Sequence, residues 1–255
     1  MNLQLNISVA RGYKSSSQIA RVITESWVKK NSFCPRCGNT RLERFENNQP
    51  VADFYCGNCN AEYELKSKKD SFALKIVDGA YDMMIKRINS ENNPNFFFLN
   101  YSSNDLQIVN FLVIPNHYFT NDMIERRSPL SQNARRAGWV GCNILLQSIP
   151  SSGRIYLVKD QKIEERKTVL ENWSRTSFLA EQKIEKRGWT IEIIKLIEKI
   201  NSKQFELKEV YAFADALKNK FPQNTFIKPK IRQQLQILRD KGIIKFLGNG
   251  RYVKI

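Results

Sequence analysis

Two pairs of cysteines, Cys34-Pro35-Arg36-Cys37 and Cys56-Gly57-Asn58-Cys59, stand 18 residues apart. A tight turn inside each C-x-x-C aims both sulfurs at one point, and two such turns complete the tetrahedron that zinc prefers. Four thiolates leave no open position for water, so the spacing predicts a structural Zn²⁺ rather than a catalytic one. Free redox-active thiols and an iron–sulfur cluster are the alternatives. The fifth cysteine, Cys142, has no partner motif and is expected to be a small packed hydrophobe.

A second constellation overlaps the first. Pro50-Val51-Ala52-Asp53-Phe54-Tyr55-Cys56 is followed by Glu62-Tyr63-Glu64-Leu65-Lys66. In an extended strand Glu64 and Lys66 project from one face and Leu65 from the other. Asp53 closes an earlier apolar run. An Asp and a Glu brought together can hold a hard cation such as Mg²⁺ through oxygen. A lysine beside them can help orient or deprotonate water and stabilise negative charge. Two carboxylates and a lysine are the parts needed for metal-dependent phosphodiester hydrolysis without histidine. Taken alone, the pattern D-x10-E-x-K is common in charged chains, and an exposed strand with alternating charges is the other reading.

The remainder of the chain must position these groups and bring them a substrate. The sequence holds 255 residues and a net charge of +16, from 41 Lys and Arg against 25 Asp and Glu. Such an excess calls for a polyanion. Nucleic acid is favoured, because no basic amphipathic helix or lipidation motif marks a membrane surface. With 42% hydrophobic and 26% charged residues the chain is of ordinary globular type. A single histidine, His117, follows Pro115 at a strand end and reads as a loop residue, which argues against Ser-His and Cys-His catalysis. No apolar run is long enough to span a bilayer, and MNLQLNISVARGYK lacks a secretory pattern, so a cytoplasmic protein with reduced thiols is expected.

Ile19, Ile23 and Trp27 form one helical stripe within residues 16–30. Residues 31–68 read as short strands, residues 77–89 as a helix, and residues 96–99, 109–114 and 154–159 as strands. The order suggests a mixed α/β (α+β) domain over residues 1–183, with the cysteine module at about 31–62. After a highly charged boundary, residues 184–255 read as three helices (189–200, 206–219, 226–241) and a hairpin turning at Gly248-Asn249-Gly250. That is the order of a winged helix, a DNA-binding unit. Residues 226–255 carry eight Lys and Arg against one acid, Asp240. Lys228, Lys230, Arg232 and Arg251 are the candidates for contact with DNA, a solvated helix face being the other reading. In the first domain Arg135-Arg136-Ala137-Gly138-Trp139-Val140-Gly141 joins two cations, small residues and an aromatic. Arg135, Arg136 and Trp139 are therefore DNA-contact candidates, Trp139 against a methyl group or a base step unless it is a core residue. Lys68 and Lys69 contact phosphate or are solvated.

Several ordered blocks, SSSQIARVITESWV, CPRCGN, FENNQPVADFYC, ELKSKK, NNPNFFFL, ARRAGWVGCNI, RGWTIEI and KIRQQLQILRDK, run through most of the chain. Through them the sequence resembles the methyl-directed (type IIM) restriction endonucleases of the PD-(D/E)xK nuclease superfamily. The resemblance implies a restriction-endonuclease-like core with an embedded zinc site, followed by a winged helix. It implies that Asp53, Glu64 and Lys66 are the catalytic set, that the Leu65 carbonyl is a further Mg²⁺ ligand, and that the four cysteines bind zinc. Related nucleases often add a helix carboxylate, which makes Glu25 a further candidate near the metal. Pro50 lies three residues before Asp53 rather than beside it, a departure in the least chemical part of the motif. The implied activity is blunt cleavage of double-stranded GATC, between adenine and thymine, only when the adenine is methylated. Both domains would read the site, in a bacterial cytoplasm and without an obligate protein partner. The rivals are a non-enzymatic zinc and winged-helix regulator, a nuclease of the same fold with another site or modification, and an RNA-binding protein.

Overall fold

Asn95–Tyr101, NFFFLNY, is buried at every position, so the strand it forms must be covered on both faces. In the computed structural model, which describes residues 1–45, 52–71, 75–90 and 93–255, it is the central strand of a seven-stranded sheet. The chain divides into two compact units, Met1–Ser174 and Arg175–Ile255.

The first unit contains α1 (Ser16–Asn31), β1 (Glu43–Arg44), β2 (Phe54–Tyr55), β3 (Glu62–Lys69), β4 (Lys75–Ala80), α2 (Tyr81–Ile88), β5 (Asn95–Tyr101), β6 (Ile108–Ile114), β7 (Ile124–Arg126), β8 (Gly141–Leu145), β9 (Ile155–Lys159) and β10 (Lys162–Ile163). A third helix, α3 (Arg166–Thr176), runs across its C-terminal boundary. The large sheet runs β1-β2-β3-β5-β6-β9-β10. The pair β3 and β5 is parallel, aligning Glu64 with Phe96 and Lys66 with Phe98. Two parallel neighbours cannot be joined by a tight turn and need a crossover. Here the crossover holds β4 and α2, and β4 joins β8 and β7 in a second, three-stranded sheet.

α1 covers one face of the large sheet. Ile23, Trp27 and Val28 are buried in a core with Tyr63, Phe97, Leu99 and Phe111, as the stripe predicts. Trp27 stands edge-on to Phe111 at 5.3 Å, and Tyr63 stacks on Phe97 at 4.5 Å. Truncating a buried aromatic of this kind costs about 3–5 kcal/mol. Tyr63 and Leu65 face this core, which by strand alternation turns Glu64 and Lys66 to the opposite face.

The helix expected over residues 77–89 is corrected: only Tyr81–Ile88 is helical, and Lys75–Ala80 is a strand. Ile76 pairs with Ile144 and Asp78 with Cys142 on β8, and this tertiary pairing outweighs the helical spacing of the apolar residues.

The second unit contains α4 (Ile184–Lys199), β11 (Gln204–Glu206), α5 (Leu207–Tyr211), α6 (Ala214–Lys220), α7 (Ile227–Asp240), β12 (Ile244–Gly248) and β13 (Arg251–Lys254). Its sheet order is β11-β13-β12. The hairpin turns through Asn249 and Gly250, both at positive φ, the geometry that two-residue hairpin loops need. Ile231, Leu235 and Leu238 of α7 are buried. Thr190 donates to the buried Gln234 Oε1 at 2.7 Å, pinning α4 to α7. The helix expected over 206–219 is two short helices, interrupted at Ala212–Phe213, where Phe213 N–H bonds back to Val210 in a tighter three-residue turn. Helices plus a three-stranded wing make this unit a winged helix, as expected. Among the described residues no helix is long and apolar enough to cross a membrane.

Candidate active site and four-cysteine metal centre

The two C-x-x-C segments form matching turns. Gly38 N–H bonds to the Cys34 carbonyl and Asn60 N–H to the Cys56 carbonyl, each at 2.8 Å. Their sulfurs converge until all four lie within 4.8 Å of one another. The Cys34–Cys59 and Cys37–Cys56 Sγ separations are both 3.6 Å. A tetrahedron with zinc–sulfur bonds of about 2.3 Å has edges of about 3.8 Å, so the donor set fits one such ion. Burial raises the Cys34 and Cys59 thiols. At Cys37, burial is outweighed by hydrogen bonds from Asn58 and from the Asn39 backbone, which bring it to about 6. Four sulfurs this close ionise together only around a cation, so binding there releases protons. The Tyr63 hydroxyl lies 3.1 Å from Cys34 Sγ, joining the centre to the aromatic core. Cys142 is buried on β8 beside β4, its Sγ 3.4 Å from the Gly79 carbonyl, as expected of a packed residue.

The hairpin β2–β3 grows out of the second cysteine pair. It brings Asp53 back to β3: Asp53 N–H bonds to the Tyr63 carbonyl at 3.0 Å, and Asp53 Oδ2 accepts from Leu65 N–H at 2.7 Å. One residue on either side of Leu65 stand Glu64 and Lys66, with Lys66 Nζ 2.6 Å from Glu64 Oε1. The structure thus brings Asp53, Glu64, Leu65 and Lys66 together. Oxygen donors of this kind suit a hard divalent cation such as Mg²⁺. Pro50 lies outside the described residues.

Glu64 and Lys66 have further partners that the sequence reading did not name. Asp78 of β4 forms an ion pair with Lys66. Arg87 of α2 lies 3.4 Å from Glu64 Oε2. The crossover between β3 and β5 carries both residues over the face from which Glu64 and Lys66 project. Burial pushes the Glu64 carboxyl above the ordinary range against the pull of Lys66, and Asp78 adds to the rise. Burial works against the Lys66 charge, yet Glu64 and Asp78 together hold its ammonium above its usual range. The sequence carries no signal for Asp78: Ile76 and Val77 are adjacent apolar residues without polar alternation, and only the structure shows Ile76 buried between exposed Lys75 and Val77.

Glu25 on α1 is 3% exposed, 2.5 Å from Arg44 of β1 and 3.8 Å from Arg21. Burial raises its carboxyl, Arg44 lowers it, and the charge of Asp53 raises it again. Glu25 therefore stands within electrostatic range of Asp53. His117 is a buried residue of a short turn, 6.3 Å from the Trp173 ring.

The segment between β7 and β8 presents Arg135 and Arg136 to solvent, with Trp139 partly exposed. Arg136 lies over the Trp139 ring at 4.7 Å, and the loop closes on itself through Gly138 N–H to the Leu130 carbonyl. In the winged helix, Lys228, Arg232 and Arg251 are exposed and Lys230 is partly so. The first turn of α7 holds no acidic residue, which leaves its positive N-terminal end to a phosphate or other anion. Lys230 bonds to Gln233 Oε1 at 2.8 Å, and Lys228 lies over the Tyr211 ring at 5.5 Å.

Comparison with known families gives two matches. A family model described as DpnI, Dam-replacing family, matches residues 1–182. A second, described as the Dam-replacing HTH domain, matches residues 185–254.

Proposed function

The chain belongs to the Dam-replacing family of DNA-cleaving enzymes, and on that premise we propose that it cuts double-stranded DNA at GATC when the adenine is methylated. The products are blunt, the reaction is phosphodiester hydrolysis with Mg²⁺, and the enzyme works in a bacterial cytoplasm. Residues 1–183 act as the nuclease domain and residues 184–255 as a second reader of the methylated site. The four cysteines hold a structural Zn²⁺.

The observation that carries this reading is the meeting of Asp53, Glu64 and Lys66 at the edge of β3, with Asp53 fixed to the Leu65 amide. Asp53, Glu64 and the Leu65 carbonyl would hold Mg²⁺, which supplies charge neutralisation at the phosphate and activation of water. Lys66 presents a positive charge where the phosphate becomes more negative, and it orients the attacking water. Arg87 steadies the second oxygen of Glu64. Arg135, Arg136 and Trp139 approach the site in the grooves. Lys228, Lys230, Arg232 and Arg251 hold backbone phosphates or base edges. A methyl group offers apolar contact worth about 1 kcal/mol. Strong methyl dependence therefore needs two readers, or a site shape that unmethylated DNA does not fit.

The test uses one plasmid prepared with and without GATC adenine methylation, incubated with purified protein and Mg²⁺ beside Asp53→Ala. Fragments from the methylated plasmid alone, absent with the variant, are expected. Cleavage of both plasmids removes the methyl requirement. Retained DNA binding with no cleavage of either turns the reading to a regulator.

A further inference from the structure

Asp78 is 7% exposed at its side chain and contacts Lys66 from the face of β3 opposite the α1 core. Lys66 therefore sits between two carboxylates, Glu64 and Asp78. Glu64 adjoins Leu65, whose amide donates to Asp53, whereas Asp78 comes from a strand of the other sheet. A cation in the proposed site and the Lys66 ammonium compete for the same Glu64 oxygens. Resting on the nuclease reading above, we propose that Asp78 is a positioning residue: it holds Lys66 beside the reacting phosphate while Glu64 is given over to the cation.

The placement of Asp78 fits this role. β4 is laced to β8 through Ile76–Ile144, Asp78–Cys142 and Ala80–Gly141, with a register shift between Asp78 and Ala80. An irregularity of this kind re-aims a side chain out of the regular ladder. The Tyr81 N–H bonds to the Val140 carbonyl at 3.1 Å, and the Cys142 thiol bonds to the Gly79 carbonyl at 3.4 Å. Asp78 is thus set by a sheet other than the one that carries Lys66. Its carboxylate does not shift when Glu64 takes up a new partner. With Asp78 neutral, Lys66 keeps Glu64 as its carboxylate partner, the pair tightens, and the cation must displace the lysine.

The test uses the full chain and Asp78→Asn, which keeps shape and removes charge. Three quantities are followed: single-turnover cleavage of methylated duplex against Mg²⁺ concentration, the Mg²⁺-induced rise in the unfolding midpoint, and DNA affinity in EDTA. Half-saturating Mg²⁺ is expected to rise about tenfold in both of the first two, the scale of one partly buried charge contact. DNA affinity in EDTA is expected to stay the same. Wild-type Mg²⁺ dependence in the variant overturns the proposal.

Lys66→Met separates positioning from direct ligation. In that background Asp78→Asn should leave the Mg²⁺-induced shift unchanged, because Asp78 acts through Lys66. A further loss of Mg²⁺ affinity there makes Asp78 a cation ligand and overturns positioning. Should Asp78→Asn alone fail to fold, Lys66→Met is expected to restore folding by removing a buried ammonium left with one carboxylate partner, Glu64, and failure to do so also overturns the proposal. A wild-type protein that does not cut methylated DNA ends the nuclease reading instead. The midpoint series still decides whether Asp78 acts through Lys66.

Discussion

Removing the ion from the four-cysteine centre is expected to unfold the unit Met1–Ser174 while Arg175–Ile255 stays folded. The size of the effect follows from how nearly the sulfurs are already placed. The two closest pairs stand 3.6 Å apart and all four sulfurs lie within 4.8 Å, against about 3.8 Å for every edge of a zinc tetrahedron, so binding requires shifts of no more than about 1 Å. Little of the ion's affinity is then lost to rearrangement, and the coupled folding energy approaches the full scale of about 10–16 kcal/mol. A domain of this kind is stable by about 5–15 kcal/mol in all, so its loss is comparable with the whole stability of the first unit. The damage also travels: Cys34 touches the Tyr63 hydroxyl, and Tyr63 stacks on Phe97 in the core. The assay is thermal unfolding followed by far-ultraviolet circular dichroism. Protein as purified is compared with protein dialysed against a strong zinc chelator, each checked for metal content, with Cys56→Ala as the genetic counterpart. One zinc per chain and the loss of one of two transitions are expected. Metal-free protein that keeps the first unit's cooperative transition refutes the reasoning, as does metal-free protein that still cleaves when Mg²⁺ is supplied.

The other expectations concern single residues. Asp53→Asn should lower single-turnover cleavage by at least about 100-fold, as loss of a group acting on transition-state charge does, while gel-shift affinity for methylated duplex stays within about twofold. Arg232→Ala should weaken binding to all sequences alike and reduce the slope of log affinity against log salt by about 0.9, read by anisotropy titration; an unchanged slope removes Arg232 from the phosphate contacts. Trp139→Ala should cut the preference for methylated over unmethylated GATC by about tenfold or less, since one methyl contact is worth on the order of 1 kcal/mol; competition binding reads it. Glu25 is raised by burial, so its contribution to stability is present below its unfolded value of about 4.3 and is lost as pH rises through the raised folded value. Glu25→Gln should therefore gain on the wild type in unfolding midpoint between pH 4 and 8, and a gap that narrows or holds constant contradicts the burial of a strained carboxylate.

Where a function depends on local spacing, the sequence was readable. Two C-x-x-C turns converge because each is closed by its own backbone bonds, and the Ile23 and Trp27 stripe of α1 needs only a core to face. The same holds for α7, whose buried Ile231, Leu235 and Leu238 keep helical period, and for the hairpin at Asn249-Gly250. Asp53, Glu64 and Lys66 were legible as types and spacing, but their meeting depends on the β2–β3 register. Asp78 was not legible. It reaches Lys66 only because β3 and β5 run parallel, which forces a crossover through β4. Pairing with β8, more than 60 residues on, decides that this stretch is a strand, and no window around Asp78 contains that fact. The three-residue strand β11 escaped for a similar reason, being defined by its pairing with β13.

The four cysteines are threaded through the proposed catalytic residues along the chain. Cys34 and Cys37 precede Asp53, and Cys56 and Cys59 fall between Asp53 and Glu64. The turn that closes the second pair, with Asn60 N–H on the Cys56 carbonyl, is the same turn that lays β2 against β3 and delivers Asp53 to the Leu65 amide. On the proposed zinc and nuclease reading, an ion held by the second pair of thiols would therefore steady the same turn that assembles the proposed cutting site. On that reading the supply of a scarce trace element would act as a maturation checkpoint: a cell short of zinc is expected to accumulate inert polypeptide rather than active enzyme.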